Sequence, residues 1–509
     1  MSKSGSIVFV WLSFLIGFLS LGEEIVWVRV VSFNFHSVPQ SFSFVLFFFI
    51  LGISLGAWFS KRVIVWGAPD LDKVGGLLIS SSLMLFLVPM LMFKRNDWPL
   101  WTLLIGLLIA AGAFFKGAIF PLLHHYFSVL GKSLGVTLSR VYSANVMGSA
   151  MGPLFVGFVL IEYVSMYSAL CIFALLGLVL GFLCLTSLKV WRVALVLAVI
   201  PLAIVVYPWS SKVLGELLRQ DYEPIAEVGN IIENRHGVVY TVSDGLSPDR
   251  VFGGNVYDGA FNVDVSHNVN GIERVYLLSS LTRLPKRVAV IGLSSGAWLK
   301  VISAFPGVEK IDVVEINDGY IELTKRYSGF SDYLSDSRVS LSVEDGRQWL
   351  ERKVEQGQQY DLIVMNTTWH WRAYSGALLS KEFMGVILSA LSSEGVAAFN
   401  STGSADVFYT ASRVFPYAYK YSNFVYVGKT DLRRKRRSFI SSFCEIDFQR
   451  LGVSGCDSPS VIRVIKEYSE KSLLGWDEFE ASTNMDRPAE VVTDDNMITE
   501  YKYGRGILQ

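Results

Sequence analysis

The sequence predicts a two-part protein, an α-helical membrane domain followed by an α/β domain built on a parallel sheet. Hydrophobic residues make up 51% of the 509 residues, a high share for a soluble protein. Nearly uncharged windows of about 20 residues, the length that crosses a bilayer, crowd the first part of the chain. After Pro208, apolar runs alternate with helical patterns, as in βαβ units. We therefore predict a membrane domain over 1–210 and a soluble domain over 211–509.

Seven candidate spans account for the membrane domain. They cover 7–30, 42–59, 74–92, 100–122, 144–163, 167–185 and 193–206, and the last is the shortest. We interpret the first as a retained span, because no small-residue cleavage site follows it. Gly52 and Gly56 in the second span, and Gly148, Gly152 and Gly157 in the fifth, have the spacing that lets helix backbones approach closely.

Basic residues in the short loops predict the orientation, because Lys and Arg are retained on the cytoplasmic side. Those on the amino-terminal side of the spans are Lys3, Lys61, Arg62, Lys73, Lys132, Arg140, Lys189 and Arg192, against Arg29, Lys94 and Arg95 on the other side. We expect a multi-pass protein of the cell (inner) membrane with a cytoplasmic N-terminus. The count favours an outside location for the soluble domain. If the seventh segment lay only at the interface, that domain would be cytoplasmic.

Four ionisable residues, Glu23, Glu24, Lys116 and Glu162, lie within or near the apolar windows. Charges at such depth are costly and mark a substrate path or a buried pair. Alternatively, they lie towards span ends, where their side chains reach the interface. The predicted topology brings Glu23 and Lys116 towards opposite faces, which favours the second interpretation.

The soluble domain shows four buried strands whose carboxyl ends carry ligand-type residues. The first, 287–292, ends in Gly292, and the second, 310–315, ends in Glu315 about 20 residues later, the interval typical of ribose recognition. The third, 339–343, precedes Asp345 and Gly346, and the fourth, 360–365, precedes Asn366. Parallel strand ends converge on one crevice, so we predict a nucleoside site there. Alternatively, Glu315 is a solvated acid and Asp345 a helix N-cap.

These motifs resemble spermidine synthases in order and approximate spacing. The resemblance covers about 250–430 and is carried by Tyr257-Asp258-Gly259, the glycine loop Gly292-Leu293-Ser294-Ser295-Gly296, Val314-Glu315-Ile316-Asn317, Asp345-Gly346, 360–364 and 379–383. The segment 22–29 is similar to the first span of membrane proteins that carry a fused domain of this kind. The resemblance implies a Rossmann-like, methyltransferase-type domain that binds decarboxylated S-adenosylmethionine and transfers its aminopropyl group to a diamine. It implies that Gly292, Ser295, Gly296, Glu315, Asp345 and Gly346 hold the cofactor and that Tyr257 and Asp258 contact the substrate.

Two departures from the family concern the chemistry. Asn366 stands where the family has an aspartate that deprotonates the attacking amine, and an amide cannot take a proton at neutral pH. Ser295 replaces the acid that faces the amine of the cofactor. The loss of that charge makes ordinary S-adenosylmethionine at least as plausible a cofactor, with a methyl group transferred instead.

The segment after the fourth strand offers replacements. His370 is the candidate base, because it titrates near neutrality, or else a packed side chain bonded to the backbone. Trp369 and Trp371 either embrace a cation or form a hydrophobic lid. Arg372 suits an acidic substrate group, or else it is a solvated loop residue.

Net charge, the basic run and the cysteines indicate which binding partners to expect. Net charge is zero, which gives no indication of nucleic acid, and no Cys or His cluster has metal-site spacing. The basic run 433–437 is a headgroup contact or a solvated turn, and Cys444 and Cys456 are close enough to bridge, which would favour the outer face. We expect the lipid bilayer and a small-molecule substrate as partners, and a homodimer is compatible with the sequence. The competing hypothesis is a non-catalytic ligand-sensing or transport protein with a repurposed fold.

Overall fold

The computed structural model describes residues 3–65, 70–92, 99–130, 134–188, 191–282, 284–366 and 369–507. Within these residues, seven helices are long and apolar enough to cross a membrane. The long helices are α1 Lys3–Asn34, α2 Gln40–Ile64, α3 Asp70–Met92, α4 Pro99–Leu130, α5 Leu134–Phe155, α7 Met166–Cys184 and α8 Trp191–Tyr222, with α5 continued by a π-helical turn Val156–Leu160 and α6 Ile161–Tyr163. The seventh segment, predicted as the shortest, is therefore a helix of 32 residues that runs past position 210. Lys94, Arg95, Lys132 and Lys189 lie outside the described residues.

Glycines allow two close helix pairs in the bundle. A Cβ at Gly148 or Gly152 on α5 would collide with the Phe14 and Phe18 carbonyls of α1. Gly52 and Gly56 meet the backbone of α4 in the same way. Such contacts bring backbones within van der Waals distance, which drives helix association in lipid. Gly157 is different, because nothing lies within 4 Å of its Cβ position, so the packing prediction is wrong there.

The structure corrects the prediction for Glu23 and Lys116. Their side chains form an ion pair between α1 and α4, with exposures of 1% and 7%. The indole Nε1 of Trp27 donates to Glu23 Oε1 at 3.3 Å. The sequence-based topology gives only the ends of each span. It does not give the relative positions of neighbouring helices along their axes, so it wrongly separates these two residues. Glu162 does lie at a span end, where it accepts from the Arg235 backbone N–H at 3.1 Å.

The soluble domain contains two sheets instead of one. An antiparallel sheet with the order β1-β2-β3-β4 comprises β1 Glu227–Asn234, β2 Gly237–Ser243, β3 Arg250–Gly253 and β4 Val256–Ala260. The larger sheet has the order β10-β11-β9-β8-β5-β6-β7 and comprises β5 Arg287–Ile291, β6 Lys310–Glu315, β7 Val339–Val343, β8 Tyr360–Met365, β9 Leu391–Asn400, β10 Tyr417–Tyr421 and β11 Phe424–Gly428. Strands β5 to β8 are parallel, as predicted, and β9 is also parallel to β8, whereas β11 is antiparallel to both neighbours. The sheet is therefore mixed at its β10-β11 edge.

Helices cover both faces of the larger sheet. The helices of the soluble domain are α9 Glu273–Tyr276, α10 Leu278–Leu281, α11 Ala297–Ser303, α12 Asp318–Lys325, α13 Ser331–Leu334, α14 Gly346–Glu355, α15 Gly376–Leu379, α16 Lys381–Ala390, α17 Ala405–Val414, α18 Leu432–Lys435, α19 Phe439–Cys444, α20 Phe448–Leu451, α21 Pro459–Glu470 and α22 Trp476–Ser482, with a 3₁₀ turn at Val265–His267. The central strands are apolar because both of their faces are buried. Crossovers place the carboxyl ends of β5, β6, β7 and β8 at one rim.

The antiparallel sheet docks on one end of the helical bundle. Tyr240 of β2 is buried in the same apolar cluster as Val30 of α1 and Leu214 of α8. The Met166 backbone N–H donates to Glu233 at 2.7 Å, and burial raises the pKa of that carboxyl. The two halves thus share a hydrophobic core.

Two sequence expectations outside the sheets have clear outcomes. Cys444 and Cys456, which are close enough in sequence to bridge, form a disulfide. In the basic run, Arg433 pairs with Glu478 and Arg437 pairs with Glu445. These pairs favour a surface turn over a headgroup contact.

Candidate functional site

A cavity of about 760 Å³ lies at the carboxyl ends of β5, β6 and β8. The sequence-predicted residues that line it are Tyr257, Asp258, Gly292, Ser295, Glu315, Asp345, Gly346, Asn366, Trp369 and Arg372. Gly296, His370 and Trp371 are not among the lining residues. Strand ends and the antiparallel sheet thus form one concave site from segments far apart in sequence.

The glycine loop is shaped by backbone constraints. Gly292 has φ +85°, and a Cβ there would lie 2.9 Å from the Asn366 carbonyl oxygen, so a side chain fits poorly. Ser295 Oγ donates to the Ala260 carbonyl at 2.7 Å, which ties the loop to β4. Gly296 is the left-handed N-cap of α11 and faces away from the cavity, so it turns the chain without lining the site.

Glu315 is buried at the end of β6, with 5% exposure. Its carboxylate accepts from the Leu293 backbone N–H at 2.7 Å and from the Asn317 backbone N–H at 2.9 Å. Burial raises its pKa to about 7, although these two hydrogen bonds oppose the shift. The alternative of a solvated strand-end acid is therefore wrong, because the carboxylate lies inside the protein and lines the cavity.

Asp345 combines both roles considered for it. Its Oδ1 accepts from the Arg347 and Gln348 backbone N–H groups, each at 2.9 Å, so the residue is the N-cap of α14. The same side chain lines the cavity. Both capping bonds end on Oδ1, so the other carboxylate oxygen is the one that could serve a ligand.

Asp258, whose backbone carbonyl accepts from Ser294 Oγ of the glycine loop at 2.9 Å, is the centre of a small polar cluster. The Tyr320 hydroxyl donates to Asp258 Oδ2, and Arg372 Nη1 lies 3.4 Å from the same oxygen. Arg372 is therefore neither a solvated loop residue nor a cation without a partner, because Asp258 balances its charge.

The structure corrects the roles proposed for the loop after β8. His370 lies against Thr402, with Nδ1 2.9 Å from Thr402 Oγ1, and burial lowers its pKa. Trp371 stacks on Trp369 with centroids 6.0 Å apart, and Arg505 lies over the Trp371 ring. The loop turns these side chains away from the cavity, which favours a packed histidine and a lid of which Trp369 forms the inner face. Thr367 and Thr368 lie outside the described residues.

The C-terminal tail supports this loop, a role that its sequence did not indicate. Glu500 accepts from the Gly376 backbone N–H at 2.5 Å and from the Tyr374 backbone N–H at 3.0 Å. Asp494 forms two hydrogen bonds of 2.7 Å with Arg347, a cavity residue. Acidic residues in this irregular segment follow no helical or strand periodicity. Their partners are therefore visible only in the folded structure.

Sequence reasoning also missed Arg274, which lines the cavity from α9. The available signal was an arginine directly before the mainly apolar segment 275–281, where a charge needs a reason. Tyr320 and Asn423 line the cavity as well and were likewise not foreseen.

The strand order and the rim site define the class of the soluble domain: a methyltransferase-type Rossmann fold preceded by a helical bundle. Residues 276–414 match the family model of the spermine/spermidine synthase domain. This matched segment contains Glu315, Asp345 and Asn366. The similarity therefore covers strands β5 to β9 of the larger sheet and leaves β10, β11 and the seven long helices outside it.

Individual relatives agree with this family match. The polyamine aminopropyltransferase of Clostridium botulinum (strain Eklund 17B / Type B) is 34% identical over 112 residues, 22% of this chain and 38% of the relative. That of Clostridioides difficile (strain 630) is 39% identical over 84 residues, 16% of this chain and 29% of the relative. The chain thus spans less than half the length of these relatives.

Solved structures similar to this chain include two of note. A spermidine synthase in complex with the transition state analogue AdoDATO has 16% identity and a TM-score of 0.38, over 47% of this chain and 88% of that one. Human methyltransferase-like protein 13 in complex with SAH has 21% identity and a TM-score of 0.28, over 38% of this chain and 90% of that one.

Proposed function

We propose that this chain is a membrane-anchored transferase of the spermidine synthase type. It would bind S-adenosylmethionine or decarboxylated S-adenosylmethionine in the rim cavity and transfer a methyl or aminopropyl group to a small substrate. The observation that carries the proposal is the convergence of Gly292, Glu315 and Asp345 on one cavity, within a segment similar to polyamine aminopropyltransferases.

The residues fit an adenosyl ligand. Glu315 would accept hydrogen bonds from the two ribose hydroxyls, and the outer oxygen of Asp345 would accept from the adenine amine. Gly292 leaves room for the ligand next to the loop backbone. The sulfonium supplies an activated carbon: bond formation from an acceptor nitrogen breaks the C–S bond, releases a neutral thioether and leaves one proton to be removed. Because the amide of Asn366 cannot take that proton, we assign this role to Asp258, a carboxylate that lines the same cavity and has no adenosyl contact in this proposal.

Calorimetry on the purified full-length protein, combined with product analysis, tests this proposal. We expect heat of binding with at least one of the two cofactors and thioether release when a diamine or another amine acceptor is added. Binding without any consumption would favour the ligand-sensing or transport alternative, which the amide at Asn366 supports. No binding of either cofactor would end the proposal.

We further propose that the soluble domain lies outside the cytoplasm. Seven candidate spans support this proposal, because an odd number of crossings would put the domain on the side opposite the N-terminus, which the basic loop residues predict to be cytoplasmic. The disulfide Cys444–Cys456 suits an oxidising compartment.

A phosphatase fused after Gln509 that is active only outside the cytoplasm tests this orientation. We expect an active fusion, together with labelling of the reduced Cys444–Cys456 pair by a membrane-impermeant thiol reagent in intact cells. An inactive phosphatase, with an active cytoplasmic reporter at the same position, would reverse the assignment.

A further inference from the structure

The Arg274 guanidinium is buried at the glycine-loop end of the cavity, with 9% exposure of the residue. Its Nε donates to the Gly271 carbonyl at 2.6 Å, and its Nη2 donates to the Asn270 carbonyl at 2.6 Å. Its Nη1 donates to Asn423 Oδ1. All three acceptors are neutral. Among the residues that the structure describes, no carboxylate forms a hydrogen bond or an ion pair with Arg274.

The other arginines that line the cavity have acidic partners. Arg235 lies 3.9 Å from Glu162, Arg347 lies 2.7 Å from Asp494, and Arg372 lies 3.4 Å from Asp258. The neighbouring Glu273 favours the charged guanidinium electrostatically, but the two side chains form no ion pair. A buried guanidinium whose hydrogen bonds all go to neutral groups is costly, so its presence needs a functional reason. Three of the five guanidinium N–H groups are used, which leaves one on each terminal nitrogen. That pair matches the two oxygens of a carboxylate.

A second donor lies in the same cavity. The Tyr257 hydroxyl is buried and has no hydrogen-bond partner among the described residues. Burial raises the pKa of Tyr257, and the nearby Arg274 charge opposes that shift, so the two groups are close enough to interact. A buried hydroxyl of this kind is expected to bind a ligand group.

The position of Arg274 indicates which part of a ligand it meets. Asn270 Nδ2 and Ser295 Oγ both donate to the Ala260 carbonyl, which places Arg274 beside the glycine loop. At the other end of that loop, the Leu293 backbone N–H is bonded to Glu315. A ligand with its ribose on Glu315 therefore extends its sulfur-linked tail along 293–295 towards Arg274.

We propose that Arg274, with Tyr257, binds the carboxylate of an amino-acid-bearing adenosyl ligand, so that S-adenosylmethionine occupies this cavity in preference to its decarboxylated form. This inference rests on the proposed function and selects between the two cofactors it allows. The neutral Ser295 on the same loop is consistent with it, since an acid there would repel a carboxylate.

Calorimetry with both cofactors on the full-length protein tests the inference. For the wild type we expect S-adenosylmethionine to bind about 10-fold to 100-fold more tightly than the decarboxylated form. Arg274→Gln should lower the affinity for S-adenosylmethionine by about the same factor. It should change the affinity for the decarboxylated form by less than about 3-fold. Arg326→Gln, a surface arginine paired with Glu322, is the matched control and should leave both affinities unchanged.

A second ligand pair keeps the test valid if Arg274→Gln does not fold. S-adenosylhomocysteine and its carboxamide differ at the carboxylate alone, and the wild type should prefer the acid by about 10-fold or more. Equal binding of acid and amide, or of the two cofactors, would overturn the inference and leave the proposed function standing. Failure of all adenosyl ligands to bind would instead count against the proposed function.

Discussion

Replacing Glu315 by alanine is expected to lower the affinity for the adenosyl ligand by at least about 100-fold. The change removes two charge-assisted hydrogen bonds to the ribose, each worth about 1.5–3 kcal/mol. It also leaves the Leu293 and Asn317 backbone N–H groups without their acceptor at the edge of the cavity. Calorimetry measures the loss. Glu344→Ala is the control, because Glu344 is a neighbouring strand-end acid that pairs with Arg352 and does not line the cavity.

The pH dependence of the wild type tests the same role without a mutation. Ribose hydroxyls donate to the ionised carboxylate, so binding lowers the pKa of Glu315 from its value of about 7 in the free protein. Affinity should therefore fall as pH drops below about 7 and level off above it, whereas Glu315→Gln should lack this titration. A flat profile between about pH 5.5 and about pH 8.5 for the wild type would contradict the assignment.

Lys116→Met is expected to destabilise the protein by about 3–5 kcal/mol, because it leaves the Glu23 carboxylate buried without its partner. The double variant Glu23→Gln with Lys116→Met should regain most of this stability, since no charge then remains in the apolar interior. Thermal unfolding in detergent measures both. Lys61→Met, at the exposed end of α2, should change stability by less than about 0.5 kcal/mol.

The test of the Glu23–Lys116 pair compares the stabilities of the wild type, the single variant and the double variant. If Lys116→Met is as stable as the wild type, or if the double variant is the least stable of the three, the pair does not hold α1 against α4. In either case ligand binding should be retained in the double variant, because Glu23 and Lys116 do not line the cavity.

Local patterns predicted the parts of the fold that depend on short stretches of chain. Each apolar window forms its helix because the backbone hydrogen bonds of a helix are satisfied within the segment. The strands that end before Gly292 and at Glu315 were foreseen for a related reason, since a strand buried on both faces is a short continuous apolar run. The antiparallel sheet was missed because β1 to β4 are short and carry polar residues at many positions.

The candidate site was foreseen where it depends on strand ends and missed where it depends on packing. Parallel strands bring Gly292, Glu315, Asp345 and Asn366 to one rim, so their approach follows from strand order alone. His370 is only four positions beyond Asn366, yet it turns towards Thr402. Loop side chains have no periodicity that would reveal this direction.

Composition and periodicity act within each segment, so they alone predicted seven apolar segments before a Rossmann-type domain and candidate nucleoside-binding residues at its strand ends. Three contacts became visible in the folded chain alone: the ion pair of Lys116 with Glu23, the hydrogen bond from the Gly376 backbone N–H to the tail residue Glu500, and the hydrogen bonds of Arg274 to neutral groups beside the cavity. These contacts join residues far apart in the chain. Their geometry is set by how helices and sheets pack against one another, which no local pattern encodes.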